Sequence, residues 1–327
     1  MSSSLTPQHE RTYDPLLSVV VPVFDESLAI TPFIERVCGV LDAVPGLAGW
    51  EFVFVNDGSR DDTLQRLLSA REQDRRIRVV DLSRNFGKEA ALSAGLDAAR
   101  GQVIVPMDVD LQDPPELIPR MLQLWRQGHD VVLAHRVDRL QDSWSKRTSA
   151  SWFYRVHNRL ADIRLPENVG DFRLMDREVV DALGTLPESR RFMKGLLAWV
   201  GFRTAAVDYV RPERAHGHSK FNGWRLWNLA LEGITSFSTV PLRVWTYAGV
   251  AVSLASLAFA AFIVARVLFL GTDVPGYASL MVAVTFLGGV QLVGIGVLGE
   301  YVGRTYLEAK RRPVYLVRRI YGSDKDA

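Results

Sequence analysis

Two stretches near the carboxyl end, Tyr247–Leu270 and Tyr277–Gly299, constrain this chain more than any other feature. The first, YAGVAVSLASLAFAAFIVARVLFL, carries a single charge, Arg266, and the second, YASLMVAVTFLGGVQLVGIGVLG, carries none. As helices each would run about 34–36 Å, enough to cross a bilayer core. Core helices of a soluble domain can reach that length, but helices apolar on every face find few places there, so two membrane spans are expected. The connecting GTDVPG has no basic residue. Arg225 and Arg243 precede the first span, and Arg304, Lys310, Arg311, Arg312, Arg318 and Arg319 follow the second. That asymmetry puts both flanks, and the large N-terminal domain, on the cytoplasmic side. Arg266 lies near the outer end of its helix and is expected to snorkel; Glu300 is expected to cap the inner boundary.

The apolar surplus of the 327 residues lies after Val240, and the part before it reads as an ordinary globular mixture. Its β-branched runs LSVVVPVF, WEFVFVN, IRVVDLS, QVIVPMD and DVVLAHR predict strands buried on both faces. Helical spacing over Ser27–Val44, Asp61–Asp74, Glu89–Arg100 and Pro115–Gln127 separates them, with Asp61 and Asp62 at one helix start and Pro115 in the first turn of another. Alternation of this kind predicts an α/β domain with a mostly parallel, doubly wound sheet, whose ligands bind beyond the carboxyl ends of the strands. The expected organisation is a disordered lead over 1–16 without a signal peptide, a catalytic domain over 17–221, an amphipathic interfacial helix over 222–243, the two spans within 244–304 and a basic cytoplasmic tail over 305–327. Ser143–Leu160, which mixes bases with aromatics, is a further interfacial helix by the same reasoning.

A net charge of +2 speaks against a general polyanion binder, and bases beside membrane spans are better explained by lipid than by nucleic acid. The lone cysteine, Cys38, rules out an intrachain disulfide or a cysteine-based zinc cluster and fits a reducing compartment.

Four polar clusters follow predicted strands: Glu26 in PVFDES, Asp57 in VNDGSRDDT, Arg84 and Lys88 in DLSRNFGKEAAL, and Asp108, Asp110, Asp113 and Glu116 in MDVDLQDPPE. A nicotinamide-type dinucleotide fold would need G-x-G-x-x-G after the first strand, where PVFDES stands instead. D-x-D at a strand end suits Mg²⁺ or Mn²⁺, because two hard oxygen ligands can share the ion with a substrate diphosphate. His216 and His218 read as solvated loop residues, and Arg190 and Arg191 as a surface pair that could touch lipid phosphate.

These segments, with VVVPVFDE, FVNDGSRDDT, LSRNFGKEAALSAGLDAARG, GDFRLMDR, RFMKGLLAWVGF, HSKF and GVLGEYVGR, resemble a family-2 glycosyltransferase of the polyprenyl-phosphate type. The likeness extends over about Leu17 to Tyr321. It is similar to dolichyl-phosphate mannose synthase and most like the bacterial bactoprenol (undecaprenyl-phosphate) glucosyltransferases.

The resemblance implies a GT-A fold, a homotetramer, a cell-envelope role such as O-antigen modification, and a flippase downstream. It implies that Asp57, with the backbone around Pro22 and Glu26, holds the uracil and ribose of a nucleotide-sugar, and that Lys88 belongs to the same site. Asp108 would face the nucleotide and join Asp110 in holding Mg²⁺ or Mn²⁺, with Gln112 a neighbouring candidate. Asp171 would position the acceptor or act as base, while Arg214, Ser219 and Lys220 would grip the lipid phosphate. The expected reaction moves one hexose, glucose from UDP-glucose, to undecaprenyl phosphate with inversion on the cytoplasmic face of the bacterial inner membrane. Mannose and formamido-arabinose donors, and a catalytically silent scaffold, are the alternatives. Asp25 stands where the family more often has Asn, and the Q-x-x-R-W box of processive synthases is absent, in keeping with a single transfer.

Overall fold

The computed structural model describes residues 10–137, 169–188, 191, 193–210, 240–270 and 276–322. The expected interfacial helix at Ser143–Leu160, most of that at 222–243, and Arg190, Arg214, His216, His218, Ser219, Lys220 and Arg225 lie outside them.

The chain divides into two compact units, one built on a sheet and one on two long helices. The first unit interleaves strands β1 (Leu16–Val23), β2 (Gly49–Asn56), β3 (Ile77–Leu82), β4 (Val103–Pro106) and β5 (Val131–Arg136) with helices α1 (Ile30–Leu41), α2 (Thr63–Gln73), α3 (Lys88–Ala98) and α4 (Ile118–Arg126). A 3₁₀ turn at Pro115–Leu117 leads into α4, so Pro115 does open that segment. Strand β6 (Val169–Asp176), helices α5 (Arg177–Gly184) and α6 (Met193–Trp199) and strand β7 (Thr204–Tyr209) follow. The expected strands are all present; the helices end short of their expected bounds, and α3 opens one residue earlier than expected, at Lys88.

The sheet has eight strands in the order β7-β5-β6-β4-β1-β2-β3-β8. Strands β1 to β5 and β7 run parallel, while β6 and β8 (Val317–Tyr321) are antiparallel to their neighbours. All six residues of β3 and all four of β4 are buried; β4 is apolar throughout, while β3 also buries Arg78, which donates to the Ala98 carbonyl at 2.6 Å, and Asp81, which accepts from Asn56 at 2.7 Å. Helix α3 lies close on the sheet because Gly95 has no side chain; a Cβ there would collide with Val20. On the other face Phe33 of α1 packs against Phe52 and Phe54 of β2.

Two segments expected to lie outside the domain are joined to it. Arg11, in the N-terminal lead, bonds the carbonyls of Trp125 and His129, pairs with Asp130 at 2.7 Å and lies over the Trp125 ring. After the second long helix the chain returns to add β8 to the edge of β3. Arg318 of that strand donates to the Ser83 carbonyl at 2.8 Å, and Tyr315 just before it donates to Asp97 of α3 at 2.6 Å.

The second unit holds α7 (Val240–Leu270) and α8 (Tyr277–Ala309), each longer than its apolar stretch. Val244–Ile263 and Val282–Ala309 are long and apolar enough to cross a membrane by length and composition. Leu257, Phe259, Phe262, Val282, Phe286 and Leu292 stand exposed along them.

Candidate active site

Strand order fixes where a site can form. From β1 the chain proceeds through β2 and β3 in one direction, and β4 lies on the other side of β1. A crevice opens at such a reversal, outside the carboxyl ends of the strands. There a cleft of about 330 Å³ is lined by Pro22, Phe24 and Glu26 after β1, Asp57 after β2, Gly87 and Lys88 after β3, and Asp108 and Asp110 after β4. The loops read from the sequence as four separate clusters therefore form one wall.

Backbone geometry explains several of these residues. Asp57 is almost fully buried, and its two carboxylate oxygens accept from the N–H groups of Phe86 at 2.7 Å and Gly87 at 2.9 Å. Burial pushes its carboxyl above the ordinary value, while those two N–H groups and Arg84 act in the opposite direction. Asp57 thus braces the loop after β3 as well as facing the cleft. Gly58, at φ 69°, allows the closeness: a Cβ would lie 2.5 Å from the Arg84 carbonyl carbon. Asp25 occupies the left-handed region at φ 52° and accepts from the Arg60 N–H at 2.8 Å, so the carboxylate does the turn-closing work of the commoner Asn.

The centre of the site is Lys88, the first residue of α3. Its ammonium lies 2.7 Å from one oxygen of Asp108 and 2.8 Å from Asp171. Burial disfavours its charge, but the two carboxylates outweigh burial and hold it well above the ordinary lysine value. Asp171 reaches this point because β6 runs against β4, with Val103 opposite Asp176 and Ile104 opposite Met175. The same register leads outward to Asp108 on the strand leaving and Asp171 on the strand entering. Burial also disfavours the charge of Asp171, yet Lys88, followed by Lys194, keeps its carboxyl below the usual range. It is ionised at neutral pH.

Among the described residues expected at the site, the cleft lining leaves out Asp171, which meets it through Lys88, and Gln112. Leu111 takes φ 55° and turns the chain, leaving Gln112 4% exposed, with its N–H donating to Asp110 at 3.2 Å. Asp113 is likewise buried and accepts from the Tyr209 hydroxyl at 3.0 Å. Glu116 pairs with Arg36 on the surface. Only Asp108 and Asp110 of the acidic stretch face the cleft.

The cleft suits a cation. Burial raises the Glu26 carboxyl, and repulsion from Asp110, Asp61, Asp108 and Asp25 raises it further. Lys88 offsets Asp108 but makes no ion pair with Asp110, which stands exposed at the cleft. Among the described residues no group of three or more His, Cys, Asp or Glu side chains gathers to hold a metal unaided. One or two carboxylates are what Mg²⁺ or Mn²⁺ needs when substrate phosphate and water complete its shell.

Sequence reasoning missed Phe24, an aromatic 42% exposed on the cleft wall, and Glu89, Arg173 and Lys194, which surround Asp171. For Glu89 a signal existed: it is the one acid in the otherwise small and apolar opening of α3.

An α/β sheet with acids and a lysine gathered at its reversal point fits a GT-A-type transferase domain. The chain belongs to glycosyl transferase family 2, whose profile matches residues 18–184. It is 52% identical over 306 residues to an uncharacterised glycosyltransferase of Synechocystis sp., covering 94% of this chain and 96% of that one. It is 53% identical over 302 residues to the bactoprenol glucosyl transferase of Shigella phage SfV, covering 92% and 98%. Among solved structures, a mannosyltransferase from Pyrobaculum calidifontis in complex with GDP-Man and Mn²⁺ is similar at 18% identity and a TM-score of 0.48, covering 96% of this chain and 88% of that one.

Proposed function

We propose that this protein transfers one glucose from UDP-glucose to undecaprenyl phosphate, with inversion, at the cytoplasmic face of a membrane crossed by α7 and α8. The bactoprenol glucosyl transferase relative, alike over nearly its whole length, supports the sugar and the lipid carrier. The observation that carries the chemistry is Lys88 holding Asp108 and Asp171 to one point, because it joins the nucleotide wall to the strand from which an acceptor can be met.

Asp57 and the loop it braces bound the nucleotide end of the cleft, and Asp110 with Asp108 would hold Mg²⁺ or Mn²⁺ against the diphosphate. When bound, the ion supplies Lewis acidity that stabilises the departing nucleoside diphosphate. Lys88 keeps Asp108 oriented while its positive charge remains beside the reacting centre. Asp171 orients the acceptor; a phosphate oxygen is already anionic at neutral pH and needs no strong base. Its approach opposite the leaving group inverts the anomeric carbon. Arg214, Ser219 and Lys220 are assigned to the acceptor phosphate on the resemblance of HSKF, and a membrane anchor keeps protein and lipid on one surface.

The test offers purified full-length protein a panel of labelled nucleotide-sugars with undecaprenyl phosphate in liposomes, with and without EDTA. Glucose appearing on the lipid only from UDP-glucose, and only with divalent ion, is the expected result. Transfer from no donor would overturn the reading.

A further inference from the structure

Glu89 has no part in the reaction as described, yet it joins three elements of the site. It is the second residue of α3, directly after Lys88. Its carboxylate accepts a hydrogen bond from the N–H of Met193, the first residue of α6. The charged groups facing it are Lys88 on its own helix, Asp171 and Arg173 on β6, and Lys194 on α6. Arg173 is 3% exposed and donates to the Gly170 carbonyl at 2.7 Å, holding the start of β6 from beneath. Three cations and two acids therefore meet where α3, β6 and α6 converge.

We propose that Glu89 is a positioning residue of the acceptor side: it fastens α6 to the start of α3, so that Lys194 and Asp171 stand in fixed register around the acceptor phosphate. The inference rests on the reading of the protein as a polyprenyl-phosphate glycosyltransferase. An anionic acceptor arriving beside Asp171 needs positive charge close by, and Lys194 supplies it only while α6 is held in place. A carboxyl group fits this task in its neutral form, because an ionised Glu89 adds repulsion towards both Asp171 and the incoming phosphate. Burial, then Asp171, pushes the Glu89 carboxyl up to about 7, so both forms are populated near neutrality.

The test uses full-length protein in liposomes with UDP-glucose and undecaprenyl phosphate, comparing wild type, Glu89→Ala and Glu89→Gln at about pH 6 and about pH 8. Glu89→Ala is expected to lower kcat/KM for the lipid phosphate about tenfold or more, with KM for UDP-glucose within about twofold of wild type. Glu89→Gln retains an oxygen for the Met193 N–H and stays neutral. It is expected to recover most of that loss and to flatten the decline of wild-type kcat/KM between the two pH values. Ionisation of the lipid phosphate itself affects both proteins alike and cancels in their ratio. Equal losses for both substrates, Glu89→Ala within about twofold of wild type, or a Gln variant with the same pH decline as wild type would each overturn the proposal. Should Glu89→Ala fail to bind UDP, the Gln arm alone decides by the same criterion. Absence of transfer by the wild type would instead sink the reading of the reaction on which this inference stands.

Discussion

The ammonium of Lys88 lies 2.8 Å from the carboxylate of Asp171, and the same nitrogen reaches Asp108 at 2.7 Å. One cation thus separates two acids that would otherwise repel across the junction of β4 and β6. Replacing Lys88 by Met should lower kcat by about 10²-fold and shift the acid limb of the pH profile, because Asp171 loses the charge that keeps it ionised. Lys88→Arg should restore the charge but only part of the rate, since a planar fork cannot reproduce the contacts of a compact ammonium. Steady-state kinetics against pH check both outcomes; a Met variant with wild-type kcat refutes the role.

Asp110 is exposed on the cleft and makes no ion pair with Lys88. Asp110→Ala should reduce turnover by about 10²-fold or more while leaving the melting temperature within about 2 °C of wild type. Residual activity of that variant should no longer respond to added Mg²⁺ or Mn²⁺. Metal titration of wild type and variant provides the measurement.

Asp57→Ala leaves the N–H groups of Phe86 and Gly87 without their acceptor in a partly buried setting. The expected cost is about 1 kcal/mol for the lost hydrogen bonds, together with weaker UDP binding as the loop loosens. Denaturant unfolding and calorimetric titration with UDP report the two effects separately.

Gly58→Ala should be destabilising despite the small size of the change. Its φ of 69° disfavours any side chain, and the new methyl would press on the backbone of Arg84 and Asn85, which cannot rotate away. A loss of at least about 1 kcal/mol is expected, read as a lower unfolding midpoint.

The titration of Glu89 has a sign that unfolding can read. Its carboxyl rises from 4.5 to about 7 on folding, so between these values the folded state binds more protons than the unfolded one. Its contribution to stability is therefore most favourable below about 4.5 and declines as pH increases to about 7, above which the penalty is complete. Glu89→Gln should remove that decline, so the difference in stability between variant and wild type should grow in favour of Gln across this window. A constant difference would contradict the assignment.

Much of this was legible in the residues because strand-end loops on a parallel sheet must gather at one edge. PVFDES, VNDGS, SRNFGK and MDVD needed only their order to be placed together. Asp171 was reachable only through the resemblance of GDFRLM, since nothing in the local pattern says that β6 runs antiparallel and enters beside β4. Gln112 was expected at the site because it follows Asp110 closely, but the left-handed turn at Leu111 carries it inward. Glu89 carried a signal as the one acid opening α3, but nothing in the local pattern says that β6 and α6 converge on it. Strand β8 was illegible for another reason: VRRIY looks like a charged tail, and its partner β3 lies beyond two long apolar helices in the sequence.

That last pairing has a consequence for anyone wishing to separate the sheet-built unit from the two long helices. A chain cut before Val240 keeps every strand-end loop of the cleft yet leaves β3 with a bare flank, its backbone donors and acceptors open to strangers. Such a fragment should clump unless Tyr315–Tyr321 is grafted back, for the segment beyond the second long helix is also the hem that closes the sheet.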